Sequence, residues 1–417
     1  MKPIRRTLLG SGLAATAAVA LGLPGRRVLA QGKDPIKFAT LMDFTRVYTF
    51  VTSEYSQGQQ DYVRLVNAEG GIDGHPIQLT IKDHASHPQQ GIALYNEALQ
   101  DGNIFFDFLS TPVANAVMPR ANADRVPMIT FAHGRADAID GTAFPYIFPC
   151  AAIYRSQAAL LLQYIDQHGG GLKDKKIAFV HIDSPFGKEP IALLEALAPA
   201  KGYKLQLFPY PVPGTEQAAT WTEVRRFRPD AVIIWGAGPG QAVSIRGAIS
   251  NGISPKSVYS VVWISDTDMK SFAGNTAVGV KRVTLVNPGT DQKLVQRIIE
   301  KVVEPGNGSG DRAIVGNTYY NIGVASMAIP VEAARRALAK SGAPLTGEKL
   351  KAGLEMLQGF DADGLMPPLT LTAEDHQGGG MGRISEWDGQ KWAPLTDWYN
   401  AEQDLVWKLV KEEAAKK

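Results

Sequence analysis

A chain of 417 residues is too long for one ordinary hydrophobic core and divides most naturally into two α/β units. Hydrophobic residues make up 45% and charged residues 20%, a globular composition that excludes a disordered or fibrous chain. The formal charge of +2 owes five cations to the first thirty residues (Lys2, Arg5, Arg6, Arg26, Arg27); the remainder carries −3, so nothing favours nucleic acid.

Residues 1–30 have the layout of a signal peptide. A basic start is followed by a glycine-softened apolar run over 8–23, and Val28-Leu29-Ala30 offers small residues for cleavage after Ala30. Arg5-Arg6-Thr7-Leu8-Leu9 resembles a twin-arginine signal. The run is too short for a convincing membrane span, and the expected destination is the periplasm. Cys150 is the only cysteine, which excludes an intramolecular disulfide.

Residues 36–42 (IKFATLM) predict the first strand, followed by the loop Asp43-Phe44-Thr45-Arg46-Val47-Tyr48 and a helix over 53–69 that Gly70-Gly71 ends. Asp73-Gly74 predicts a turn and 77–81 an alternating strand, with Pro88 opening the next helix. The apolar run 104–109 then breaks into Ser110-Thr111-Pro112. A helical pattern and a second apolar run, 126–131, follow. Strand, helix, strand at this spacing makes a parallel pair. Ligands of open α/β sheets sit beyond the carboxyl ends of such strands, which makes Ser110, Thr111, Ala132 and His133 one wall of a candidate pocket. The alternative, that Thr111 simply caps a helix with nothing bound, stays open. Strands are predicted again near Tyr146 and over 176–181, 204–208, 231–235 and 257–263, with another extended segment over 283–288. A long helix over 317–340 should kink at Pro330. The tail carries Leu405, Val406, Leu409 and Val410 on one face, as a docking helix would.

The stretch NAEGGIDGHPIQLTIKDHASHP resembles a signature of the branched-chain amino acid binding protein family, the type I periplasmic receptors of ABC importers. KIAFVHIDSPFGKEP and the closing LTLTAEDHQGGGMGRISEWDGQKWAPLTDW follow in the family's order. The resemblance implies two Rossmann-like lobes joined by a hinge of several strands. Residues 31–149 and 289–360 would form the first lobe, 150–288 and 361–400 the second, and 401–417 a helical tail. It also implies a monomeric receptor that binds a small molecule, without cofactor or catalysis, and delivers it to an inner-membrane ABC permease. A branched-chain or other amino acid or amide receptor of the same importer class, a sensory receptor, or an exported enzyme on the same fold remain alternatives.

In amino acid receptors of this family the carboxylate is held by a serine/threonine loop and backbone donors, matched here by Ser110, Thr111 and Ala132. The acid that holds the ammonium group falls near Trp263, and its aromatic partner at Gly236. His133 and Arg135 replace small residues. The exchange removes an anion and adds cations, which points to a carboxylate ligand with a flat apolar body stacked by Phe44, Phe186 or Trp263. Thr45 and Tyr154 complete the candidate set. The competing reading makes Phe186 and Trp263 ordinary core aromatics. Gly236-Ala237-Gly238-Pro239-Gly240 is misspaced for a dinucleotide fingerprint, and its glycines suggest backbone close to a ligand. His84 with His87, or His181 with Asp183, lack a third metal ligand and read as exposed loop histidines, and Asp375-His376 as a turn.

Overall fold

The computed structural model describes residues 33–415. The proposed signal peptide, its twin arginines and the cleavage point after Ala30 lie outside the described residues. Among the described residues no helix is long and apolar enough to cross a membrane.

The first unit alternates strand and helix: β1 (Ile36–Met42), α1 (Thr49–Ala68), β2 (Ile77–Asp83), α2 (Pro88–Gln100), β3 (Phe106–Phe108), α3 (Thr111–Asp124), β4 (Met128–Ile129) and β5 (Ile147–Phe148). These strands form one sheet in the order β2-β1-β3-β4-β5, all parallel, with Ala39 opposite Phe106 and Phe106 opposite Met128. Parallel strands are covered by helices on both faces, so they read as continuous apolar runs instead of alternating. That is why 36–42 is legible to the residue as β1. The apolar runs 104–109 and 126–131 contain much shorter strands, because their outer residues turn away to line the sheet's end.

The second unit runs α4 (Tyr154–His168), β6 (Lys176–Ile182), α5 (Pro185–Lys188), α6 (Ile191–Lys201), β7 (Lys204–Tyr210), α7 (Ala218–Phe227), β8 (Ala231–Trp235), α8 (Gly238–Ser250), β9 (Val258–Ser260), α9 (Asp266–Lys270) and β10 (Lys281–Thr284). After it come α10 (Lys293–Ile298), α11 (Thr318–Ser341) and α12 (Gly347–Leu354). The antiparallel β11 (Arg383–Trp387) and β12 (Trp392–Pro394) and the final α13 (Gln403–Ala414) close the chain. The second sheet has the order β12-β11-β10-β9-β8-β6-β7. Its interior strands β9 and β8 are buried at every residue.

The chain passes between the sheets at three places. Cys150 N–H donates to the His376 carbonyl, Asn287 N–H to the Leu365 carbonyl, and Phe360 pairs with Leu369. Helix α11 runs unbroken through Pro330 and packs along α1. Helix α13 buries Val406 and Val410 against α4, α6 and the short turn of helix over Ala136–Ile139.

Two sequence expectations need correction here. Ser110, not Thr111, is the cap residue of α3, and its hydroxyl makes no capping bond. His84 is fully buried, stacked at 6.3 Å on Phe108, and burial lowers its pKa to about 4; His181 is likewise buried, inside β6, and only His87 of the histidines expected in exposed loops is exposed. The Asp375 carboxylate does organise a turn, accepting from the amides of Gln377, Gly378 and Gly379.

Candidate functional site

Asp43 sets up the first wall. Its carboxylate follows β1 and gathers the backbone amides of Thr45, Arg46, Val47 and Tyr48 at 2.7–3.2 Å. Burial pushes its pKa up, but these bonds and one from Ser86 outweigh it and hold the group below its ordinary value. The loop so formed turns Phe44 and Thr45 toward Asp83 at the end of β2. The Phe44 amide and the Thr45 hydroxyl both donate to the Asp83 carboxylate. Neither residue lines the cleft; Tyr48, the cap residue of α1, and Phe50 and Val51 in its first turn do.

Opposite walls come from the same feature of other strands, the turn from strand end into helix. Leu109, Ser110 and Thr111 lead from β3 into α3. Tyr154 is the first residue of α4, Phe186 lies in α5, and Ala237 caps α8. His133 enters from the turn after β4 and Trp263 from the segment after β9. Together they enclose about 330 Å³ of space free of protein atoms, partly open to solvent. Most of that space is open to solvent: the enclosed cavity is only about 30 Å³, room for about one water, so the walls lie close together.

The aromatic groups brace one another. Trp263 Nε1 donates to Tyr154 Oη at 3.0 Å, and the Tyr154 and Phe186 rings are 4.9 Å apart. Tyr319 of α11 stands 6.2 Å from both Trp263 and Phe50. Burial drives the Tyr154 hydroxyl well above its ordinary pKa and the Tyr48 hydroxyl to about 12, so both are neutral.

Of the residues expected from sequence, the fold brings Ser110, Thr111, His133, Tyr154, Phe186 and Trp263 together on this cleft. It sends five others elsewhere. Besides Phe44 and Thr45, Ala132 spends its N–H on the Pro149 carbonyl at 3.3 Å. Gly236 is small because a Cβ there would lie 1.9 Å from the Tyr210 hydroxyl, and Gly238 because one would meet the Phe50 ring at 2.4 Å. These glycines make room for side chains, not for a ligand. Arg135 pairs with Asp137 at 3.0 Å, lies 5.4 Å from the Phe144 ring and opens on a separate recess. His133 is not a cation either: complete burial lowers its pKa to about 3. Tyr48, Phe50, Val51, Leu109 and Ala237 were missed, although each sits where a predicted strand end turns into a helix.

The cleft is therefore uncharged. Its free polar groups are the Ser110 hydroxyl, 3% exposed and without a partner, and the His133 ring, 2% exposed, whose nitrogens make no well-formed hydrogen bond and meet only the Phe108 backbone. Four helices of 13 to 20 residues (α1, α3, α4 and α8) begin at its lining, and none has a side-chain cap. Unsatisfied N–H groups at helix starts and the helix dipole favour negative charge. Among the described residues no group of three or more His, Cys, Asp or Glu could hold a metal ion.

A family model described as periplasmic binding protein matches residues 35–391. A solved structure described as an ABC transporter permease from the Pseudomonas fluorescens group is 33% identical, with 92% of this chain and 96% of that one covered and a TM-score of 0.84. A branched-chain amino acid ABC transporter from Thermus thermophilus with bound valine is 20% identical, covering 91% and 99% at a TM-score of 0.79. A fatty acid ABC transporter substrate-binding protein from Thermomonospora curvata is 23% identical, covering 88% and 93% at 0.75. At those two identities the likeness is one of fold. The Leu/Ile/Val-binding protein homolog 3 of Brucella melitensis is 27% identical over 136 residues, 32% of this chain and 36% of that protein's length. Homolog 1 of Brucella abortus is 24% identical over 262 residues, 61% and 68%.

Proposed function

This chain belongs to the periplasmic binding protein family and has its type I fold, and on that premise we propose that it captures a small aromatic or otherwise apolar carboxylic acid for an ABC importer. The first unit takes residues 31–149 and 289–360, the second 150–288 and 361–400. They close about the three crossings near Cys150, Pro288 and Phe360. The reading rests on one observation: an uncharged cleft walled by Tyr48, Phe50, Phe186 and Trp263, on which four uncapped helix starts converge. An aromatic ring buries about 150–250 Å², worth roughly 4–6 kcal/mol at ~25 cal/mol per Å². Much of that is offset by lost translational freedom, so the acid head must contribute through Ser110, Thr111 and the helix starts. A zwitterion would bring an ammonium group with no counter-charge among the lining residues.

Thermal-shift screening of acids, amides and amino acids tests the reading, because a ligand at a hundred times its dissociation constant adds about 2.7 kcal/mol to the native state. Stabilisation by aromatic acids and none by leucine, isoleucine or valine is expected; the reverse pattern sinks the proposal. Ligand should also make the protein more compact. An unchanged radius of gyration on confirmed binding counts against closure.

One observation favours an amino acid instead. Glu54, one turn beyond Phe50 on α1 and just outside the cleft lining, is partly buried; Asn317 bonds the group but one carboxyl oxygen has no partner, and burial raises its pKa to about 7. Glu54→Gln separates the two readings: it should abolish binding of an amino acid and leave binding of a simple acid unchanged.

A further inference from the structure

The lining poses a pairing problem that a bare carboxylate does not solve. A neutral imidazole has one donor and one acceptor nitrogen, and a carboxylate only accepts. At His133 neither nitrogen makes a well-formed hydrogen bond; only the Phe108 backbone acts on the ring. With the ring N–H turned to the Phe108 carbonyl, an ionised ligand head would bond Ser110 and meet the buried acceptor nitrogen with its own negative charge. An unpaired buried polar group is costly, and a buried like-signed pair more so. Protonation resolves both faults, because the acceptor nitrogen becomes a donor and the carboxylate gains a counter-charge.

Nothing else near His133 supplies that charge. On α1 and α4 the groups facing it are Tyr48 and Tyr154, both neutral; α3 offers Ser110 and Thr111, α5 offers Phe186, and Trp263 completes the ring. Arg135, two residues on, is held by Asp137, and Arg155 on α4 is held by Glu189 and Glu413. Burial is the dominant influence on the imidazole, and no charged side chain contributes to its shift. The helix starts stabilise the carboxylate but do nothing for the acceptor nitrogen.

We propose that the acid enters the cleft together with one proton, shared between its carboxyl group and the His133 ring, so that capture is coupled to proton uptake from solvent. The inference rests on the reading of the site as a carboxylic acid receptor. Binding raises the pKa of the His133–carboxyl pair above that of either free partner. Uptake therefore operates between the free values and that of the complex, and affinity falls as pH rises through that window, by about tenfold per pH unit. An amide or other neutral head, which carries its own donor, binds without a proton.

Titration calorimetry on the wild-type protein with benzoate, phenylacetate, cinnamate and benzamide, in phosphate and in Tris between pH 6 and 8, counts the protons directly. The expected result is about one proton taken up per acid bound, none for benzamide, and loss of the uptake in His133→Phe. An acid that binds with no buffer dependence overturns the inference and leaves the acid reading standing. Uptake that persists in His133→Phe overturns the role of His133. Absence of binding by all three acids overturns the inference together with the reading beneath it.

Discussion

Two recesses meet at Thr111, and they are built from opposite materials. The aromatic cleft has no charged residue in its lining and leaves a hydroxyl and an imidazole unpaired. Its neighbour, with about 790 Å³ of space, is lined by Arg135, Arg155, Lys188, Glu189 and Glu413. Those charges are mostly spent on each other: Arg155 reaches Glu189 at 3.3 Å and Glu413 at 2.5 Å, and Lys188 reaches Asp183. Glu189 also accepts from the Ala136 amide at 3.1 Å, tying α5 to the turn after β4. Burial raises the Glu189 pKa to about 7, with Arg155 opposing it. One recess ties elements of the fold together, while the other keeps a hydroxyl and an imidazole unsatisfied. A charge close to a ligand site is thus no guide to the ligand until its partners are known.

Breaking the charged recess should have the largest effect. Arg155→Met strands two carboxylates, one of them buried, and is expected to cost about 3–5 kcal/mol of stability. Urea unfolding measures this; a loss under 1 kcal/mol would mean that the recess is not structural. In the aromatic cleft, Trp263→Ala should weaken acid binding by ~1–3 kcal/mol, because the ring both braces Tyr154 and faces the guest. Calorimetry showing undiminished affinity would return Trp263 to the ordinary core. Ser110→Ala sharpens the contrast. It should cost about 1 kcal/mol of affinity and almost no stability, since its hydroxyl bonds nothing in the empty protein. Equal losses in both would show it to be a cap after all. The smallest effect is expected from Arg135→Gln, with affinity within about twofold of the parent. A tenfold loss would put Arg135 back in the site.

The strands and their order were legible because parallel, doubly covered strands are written as apolar runs; β1 and β8 match the sequence reading residue for residue. The strand-end rule pointed to Ser110, Thr111, Ala132 and His133, and the family resemblance to Trp263; all but Ala132 line the cleft. What remained illegible was the fate of polar groups. Whether His133 is charged depends on complete burial, and whether Arg135 is free depends on Asp137 and on the Phe144 ring beside it. Gly236 suggested an approaching ligand when the approach is that of Tyr210, 26 residues earlier in the chain and two strands over. Placing the start of α1 at 53 instead of Thr49 hid Phe50 and Val51 in a loop. Each error concerns a neighbour that only the tertiary fold supplies.

The most direct test is a crystal structure with an aromatic acid selected by thermal shift. The carboxyl group should lie at hydrogen-bond distance, roughly 2.7–3.2 Å, from the Ser110 hydroxyl and the His133 ring, with the apolar body between Phe186 and Trp263. An acid bound instead in the recess beside Arg155 and Arg135, with the aromatic cleft closed and empty, would contradict the account.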